Sequence, residues 1–293
     1  MDKRILSHYR EYGLFTHPGL YEDYLKNLPD EVKELGELLR NNFIHRTTLD
    51  TGNVGTNADL KYGDMTKIPW WRQAEDDNLT TCAAMLAEFF RRDPRGLTKE
   101  RKVEDKLVLT CRYVAILMAS TLKAKGIPSR VRSGFASYFE GTKDAWDHWL
   151  VQYWNESEKR WTTVDIDGSW HKTGFDMYDI SDGKFDFSAE VWLDVRKGKV
   201  DENHFRNAGG FDGLLPIAWE LFYDYHCLMN SEILYVHHPE MVTLKNFRKL
   251  KEDKLRDIDE LAVLMQEPDE NFDRLCNIWE TNKEYRLLTG SLL

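Results

Sequence analysis

Apolar residues recur at intervals of three and four in several segments of the chain, which predicts amphipathic helices. In the first hundred residues the stripes are Val32, Leu35, Leu38 and Leu39, and then Leu79, Cys82, Met85, Leu86, Phe89 and Phe90. Pro29, Asp30 and Glu31 form a favourable opening for the first helix, because Pro fits a first turn and acids favour the positive end of the dipole. Residues 46–75 are rich in Thr, Asn, Gly and Asp and are predicted to form a long loop.

The middle of the chain begins with a strongly apolar run from Cys111 to Lys125, which predicts a helix with Cys111 at its start. We expect Val114, Ala115, Met118 and Leu122 to lie on one face of this helix together with Cys111. The run ends at Gly126-Ile127-Pro128. Gly is suited to the end of a helix, and Pro prevents its continuation.

Three strand-like segments follow this helix at residues 130–135, 148–154 and 161–166. The second segment alternates, so that His148, Leu150, Gln152 and Trp154 face one way and their neighbours the other. A polar turn at residues 156–159 joins the second and third segments, which predicts an antiparallel hairpin. His148 and Asp165 can then face each other on one side of the sheet.

The last third is predicted to consist of a polar stretch from about 167 to 213, followed by helices. One helical stripe consists of Leu255, Ile258, Leu261, Ala262 and Met265. We expect Asp269, after Pro268, to cap another helix that buries Phe272, Leu275 and Trp279. The whole pattern predicts an α+β fold and a single domain over residues 1–293. Its core lies at about 100–170, with helical extensions at 1–99 and 214–293.

The composition of the chain disfavours some classes of partner and some cellular locations. Its 293 residues include 40 basic and 50 acidic side chains, a net charge of −10, which disfavours nucleic acid as a partner. No window holds the ~18 apolar residues of a membrane span, so no membrane partner is expected. The four cysteines lie far apart without CxxC spacing, and the N-terminus lacks a signal-like apolar run. We therefore expect reduced thiols and a cytoplasmic location.

Cys111, His148 and Asp165 are the candidate catalytic residues. The dipole at a helix start stabilises a thiolate, a neighbouring imidazole can take the thiol proton, and a carboxylate can orient that imidazole. Each residue also has a structural interpretation, since a free Cys is often a small core residue and a strand His often has only a hydrogen-bonding role. Asp167 is an alternative to Asp165, because it lies two residues further on and faces the same side.

Other residues that could suggest a metal do not have the required spacing. His226-Cys227 and His237-His238 fit no usual zinc pattern. The stretch from Asp179 to Asp186 resembles a calcium loop, but Tyr178 stands where an acid is required. We therefore expect neither a metal nor a cofactor.

The candidate site resembles the transglutaminase-like superfamily of papain-like Cys-His-Asp proteins, including bacterial transglutaminase-like domain proteins. The resemblance rests on Cys111 opening a helix that runs into Gly126-Ile127-Pro128, on His148 beside Trp149, and on Asp165 after a Trp. Two features depart from the family's pattern. His148 and Trp149 are adjacent where His-Ala-Trp is common, and Thr110 replaces a common Gly. Asp147-His148 is similar to the start of this motif in peptide N-glycanases of the same superfamily.

The resemblance implies an enzyme that acts on an amide or ester carbonyl through a thioester on Cys111. It also implies a Cys helix packed on an antiparallel sheet, and a protein, peptide or small amide as substrate. The oxyanion would be bound by the Cys111 N–H and an upstream side chain, for which Trp70, Trp71 and Asn78 are the candidates. Hydrolysis is favoured over cross-linking. The alternatives are an inactive binding or scaffold protein of the same fold and a peptide N-glycanase-like amidase, although the zinc-binding CxxC pairs often found in that family are absent.

Overall fold

Helices and strands are both present in the computed structural model, which describes residues 1–46, 68–72, 74–139, 142–167 and 173–286. Most of the predicted loop at 46–75 lies outside the described residues. The helices are α1 Lys3–His8, α2 Glu22–Lys26, α3 Val32–Arg40, α4 Glu75–Asn78, α5 Cys82–Arg92, α6 Cys111–Ala124, α7 Ser188–Arg196, α8 Leu214–Leu228, α9 Leu244–Phe247, α10 Glu252–Gln266 and α11 Phe272–Thr281. The strands are β1 Phe43–His45, β2 Leu107–Leu109, β3 Ser129–Ala136, β4 Ala145–Asn155, β5 Arg160–Val164, β6 Phe185–Phe187 and β7 Phe205–Arg206.

The main sheet has the order β5-β4-β3-β6, and all of these neighbours are antiparallel. β7 adds a short parallel pairing to the beginning of β4. β1 and β2 form a separate parallel pair, and β2 directly precedes α6 in the sequence. This combination of helices with an antiparallel sheet is compatible with the predicted α+β class. Within the described ranges, none of the helices combines the length and apolar character needed to cross a membrane.

Helix α6 is buried on all sides, and the predicted face of Cys111, Val114, Ala115, Met118 and Leu122 is part of this buried surface. Every residue from Cys111 to Ala124 is buried, including Arg112 and Lys123. The reason is that α6 packs on β3 and β4 while α2, α3 and α5 cover its other sides. The predicted end is confirmed. Gly126 has a φ of +76°, and the Ile127 N–H donates to the Leu122 carbonyl at 2.9 Å.

The predicted hairpin is confirmed in β4 and β5, where Val151 pairs with Val164 and Trp154 with Trp161. The Asn155 side chain stabilises the turn by accepting from the backbone N–H groups of Ser157, at 3.1 Å, and Glu158, at 3.3 Å. Because side chains alternate along a strand, this register determines which residues after Val164 face the side of the sheet that carries His148.

Two predictions for other parts of the chain are wrong in detail. The polar stretch at 167–213 contains β6 and α7, and α7 buries Ala189, Val191, Trp192 and Leu193. Asp269 does not cap the helix that follows it. Its carboxylate instead accepts from Arg130 Nη1 and from Trp161 Nε1, both at 2.7 Å, which anchors the start of α11 to the main sheet.

Candidate active site around Cys111

Cys111 is the first residue of α6, directly after Thr110, whose backbone is extended. Its side chain is only 8% exposed. The first N–H groups of a helix have no partner within the helix, and the dipole makes this end positive. One of these groups, the Arg112 N–H, donates to the Tyr235 hydroxyl at 3.1 Å. The same hydroxyl lies 3.2 Å from Cys111 Sγ, so Tyr235 covers the thiol.

His148 lies on β4 and contacts Asp165, which comes directly after β5. His148 Nε2 and Asp165 Oδ2 are 2.8 Å apart, and both side chains are almost completely buried. Continuing the pairing of Val151 with Val164 puts Asp165 opposite Leu150, which is on the same face as His148. The contact is therefore diagonal across the hairpin, within reach of an imidazole.

Further hydrogen bonds hold the Asp165 carboxylate in place. Oδ2 accepts from the Tyr138 hydroxyl at 2.8 Å, and Oδ1 accepts from the Asp167 N–H at 3.0 Å. The Asp165 N–H itself donates to the Met177 carbonyl at 2.9 Å. Both carboxylate oxygens thus have donors from the surrounding chain, which fixes the direction in which Asp165 holds His148.

The electrostatic interactions in the cluster favour an ion pair between Cys111 and His148. Burial alone raises the pKa of Cys111, but the charge of His148 and hydrogen bonds from His148 and His45 outweigh it, so that the pKa is lowered. Burial lowers the pKa of His148, but Asp165 and Cys111 raise it well above its usual value. The pKa of Asp165 is lowered because His148 and the hydrogen bonds outweigh burial.

A second histidine, His45 at the end of β1, also lies at the thiol, and no sequence motif indicates it. His45 Nε2 is 3.7 Å from Asp167 Oδ2, and both residues are buried. Burial lowers the pKa of His45, whereas Asp167 and a hydrogen bond with Cys111 raise it, and the net effect is upward. Asp167, the alternative to Asp165, therefore lies beside a different histidine.

The space beside Cys111 is a narrow crevice that has no room for a water-sized sphere. Its lining comes from α6 and the main sheet and consists of Cys111, Val114, Ala115, Trp149, Leu150, Val151, Val164, Asp165, Ile166 and Asp167. Sites for drug-sized ligands usually have about 300–1,000 Å³. The crevice has no comparable volume, so any substrate requires movement of the residues that cover Cys111.

The upstream side chains expected at the oxyanion lie in solvent. Trp70 and Trp71 are 81% and 63% exposed, and Asn78 donates to the Ala74 carbonyl at 3.3 Å. A donor that stabilises an oxyanion acts best where water is excluded. The exposure of both Trp side chains therefore argues against this role.

Two other cysteines and two other histidines have structural surroundings. His226 contacts the Phe222 carbonyl at 2.7 Å, and the His238 ring stacks on Trp219 with centroids 4.5 Å apart. Cys82 and Cys227 are buried, which raises the pKa of both thiols. In the part of the chain that the structure describes, no group of three or more His, Cys, Asp or Glu residues could hold a metal ion.

Comparison with known proteins gives one match. Residues 90–166 match the family model described as the transglutaminase-like superfamily, and this stretch contains Cys111, His148 and Asp165. No curated protein and no solved structure matches the chain. A domain of this superfamily suggests a papain-like cysteine enzyme. His45 and Tyr235 lie outside the matched stretch.

Proposed function

We propose that this transglutaminase-like domain is a cysteine enzyme that acts on an amide or ester carbonyl through a thioester. Cys111 is the nucleophile, His148 is the general base and then the general acid, and Asp165 orients His148. The substrate is a protein, a peptide or a small amide, and water is the second acceptor, which makes the enzyme a hydrolase.

The hydrogen-bonded series from Cys111 through His148 to Asp165 carries this proposal. The pKa of the thiol is lowered while that of the imidazole is raised, and both shifts favour a thiolate beside an imidazolium. Nucleophilic cysteines have this property, whereas buried structural cysteines are inert. Because Nε2 of His148 faces Asp165, Nδ1 is the nitrogen that exchanges a proton with the sulfur.

The reaction has two stages. In the first, the Cys111 thiolate attacks the carbonyl carbon, a C–S bond forms, and the π electrons move to oxygen. The tetrahedral intermediate then collapses, the bond to the leaving amine or alcohol breaks, and the leaving group takes the proton of His148. In the second stage, His148 takes a proton from water, the hydroxide attacks the thioester, and the thiolate leaves. The net result is an acid and a free amine or alcohol.

The narrow space at Cys111 supports hydrolysis over cross-linking. The side chain is 8% exposed, and the crevice beside it has no room for a water-sized sphere. Cross-linking brings a second protein side chain to the thioester while the first substrate is still attached. Water has the smaller requirement for space, so it is the acceptor that we propose.

Site-resolved alkylation of the thiols tests the proposal. The full chain is treated with iodoacetamide from pH 5 to 9, and the rate at each cysteine is measured by mass spectrometry. Cys276 is an internal control because it is partly exposed and its pKa is raised by burial and by the charges of Asp273 and Glu280. A thiol with the ordinary pKa of ~8.5 is only about 0.3% ionised at pH 6.

We expect the Cys111 rate to be nearly constant between pH 6 and 8, while the Cys276 rate rises about tenfold per pH unit. The shape of the profile is informative even if burial slows the absolute rate. His148→Ala should convert the Cys111 profile into the same tenfold rise. A wild-type Cys111 rate that increases in parallel with Cys276 would refute the ion pair and with it the proposed enzyme.

A binding or scaffold protein of the same fold is the second candidate. It is favoured by the cover over the thiol, since the Tyr235 hydroxyl lies 3.2 Å from Sγ and Cys111 is nearly buried. This candidate predicts that Cys111 and Cys276 share one pH profile. It also predicts that Cys111→Ala leaves the binding of partners unchanged. If the protein is an enzyme, the same variant should lose acyl transfer entirely.

A further inference from the structure

The position of His45 follows from the pairing of two short strands. β1 and β2 are parallel, with Phe43 opposite Leu107 and His45 opposite Leu109. The Arg46 N–H donates to the Leu109 carbonyl at 2.9 Å, which extends the pairing by one residue. Since Leu109 is two residues before Cys111, the pairing brings His45 to the start of α6.

His45 and His148 are arranged as two His–Asp pairs around one sulfur. His148 Nε2 is 2.8 Å from Asp165 Oδ2, and His45 Nε2 is 3.7 Å from Asp167 Oδ2. The Asp167 N–H donates to Asp165 Oδ1 at 3.0 Å, which links the two carboxylates. Both imidazoles form a hydrogen bond with Cys111.

A second imidazole at the thiol has no role in the proton transfers assigned above. His148 alone can take the proton of Cys111 and return it to the leaving group. The oxyanion, in contrast, needs donors in a dry site, and each such donor lowers the barrier substantially. The side chain of His45 is only 10% exposed, and its Nε2 faces Asp167. The protonated imidazole, which Asp167 favours, has a second N–H at Nδ1 that can donate.

We propose that His45, held by Asp167, donates a hydrogen bond to the oxyanion that forms when Cys111 attacks the substrate carbonyl. The inference deepens the proposed function and rests on it. As the C–S bond forms, the carbonyl π electrons become a lone pair on oxygen, and the His45 N–H faces that charge without giving up its proton. On collapse the C=O bond is restored, and the leaving group takes its proton from His148.

Asp167 is a positioning residue in this arrangement. Its carboxylate favours the protonated form of His45 and keeps the imidazole beside the sulfur. The N–H of the same residue is used by Asp165. The two histidines therefore have separate carboxylates in one short segment of chain, so that the base and the oxyanion donor can be changed independently.

Two reactions of the same thiol separate an oxyanion donor from other roles of His45. Acylation by p-nitrophenyl acetate passes through an oxyanion, whereas alkylation by iodoacetamide displaces iodide at a saturated carbon and forms none. The variants are His45→Phe, which keeps a ring without a donor, and His45→Gln, which keeps an N–H. His17→Gln, at an exposed histidine, is the control. Alkylation is measured for each protein on its own high-pH plateau, where the thiol is fully ionised.

We expect His45→Phe to lower the acylation rate by about 100-fold or more, the usual loss for one oxyanion donor, while alkylation stays within about threefold. His45→Gln should recover acylation to within about tenfold of wild type, and His17→Gln should match wild type. Circular dichroism verifies folding. His45→Ala provides a second donor-free variant if the Phe ring does not fit.

Three outcomes would contradict the role of His45, and each has a different meaning. Equal losses in acylation and alkylation would show that His45 acts on the thiol or the fold, and would overturn the inference. Unchanged acylation in both donor-free variants would also overturn it while leaving the proposed enzyme intact. A wild-type protein that is alkylated at Cys111 but never acylated would overturn the proposed function and this inference together.

Discussion

The ion pair of Arg132 and Asp224 joins the main sheet to α8, and its loss should destabilise the fold measurably. Arg132 Nε and Nη2 donate to the two Asp224 oxygens at 2.7 and 2.9 Å, and both side chains are buried. The Ser133 N–H, at 3.0 Å, and the Ser188 hydroxyl, at 3.3 Å, donate to the same carboxylate. Asp224→Asn therefore leaves a buried guanidinium without its counter-charge.

Breaking a buried pair by removing one partner costs about 3–5 kcal/mol. We expect Asp224→Asn to cost an amount at the lower end of this range, because Asn keeps one acceptor oxygen and Gln152 Oε1 still accepts from Arg132 at 3.0 Å. An unfolding entropy of roughly 2.1 cal/mol/K per residue gives about 0.6 kcal/mol/K for the 293 residues. A loss of about 3 kcal/mol then lowers the Tm by about 5 °C.

Differential scanning calorimetry at pH 7 measures this shift, and Asp179→Asn is the matched control. Asp179 accepts from Arg160 at 2.9 and 2.6 Å in the same two-bond geometry, but the pair is 43% and 44% exposed. Exposed pairs contribute less than about 1 kcal/mol, so the control should shift the Tm by less than about 2 °C. Equal shifts in the two variants would show that burial does not determine the cost and would refute the reasoning.

Three further variants test the electrostatics of the site. Asp165→Asn should slow acylation of Cys111 by roughly 10- to 100-fold, because a charged hydrogen bond contributes about 1.5–3 kcal/mol, and an unchanged rate would contradict the role of Asp165. Tyr235→Phe removes a hydroxyl that lies 3.2 Å from the sulfur and can donate to the thiolate, so the midpoint of the alkylation profile should rise by about one to two pH units. Burial first, and the charge of Asp147 second, raise the pKa of Glu220 well above its usual value. Since the folded pKa is raised, wild-type stability relative to Glu220→Gln should be greatest below about pH 4.5 and decline as the pH rises, which thermal melts at pH 5 and 8 can measure.

The parts of the fold with strong local signals could be predicted from the sequence. The apolar run after Cys111 and the Gly126-Ile127-Pro128 stop define α6, and the alternation around His148 defines β4. Helix α7 was not predicted, because Asp and Gly residues on both sides concealed its short apolar face. The use of Asp269 could not be predicted either, because its partners Arg130 and Trp161 are distant in sequence.

The sequence predicts only those residues of the candidate site that lie beside a recognisable helix or strand. Cys111, His148 and Asp165 each begin or follow a recognisable element, and the structure brings them together in one buried cluster. His45 lies in an ordinary apolar strand, and Tyr235 lies in a segment without regular structure. Only tertiary packing brings these two residues to the sulfur, and no local pattern indicates it.

The complete burial of α6 has a consequence for how the sequence can vary. A surface helix has an outer face where substitutions are nearly neutral, but all residues from Cys111 to Ala124 are enclosed by other elements. Saturation mutagenesis of this helix should therefore find no set of positions, repeating every three or four residues, at which substitutions are tolerated. The backbone amides of α6 should also be among the slowest to exchange with deuterium, because opening them requires its neighbours on every side to separate.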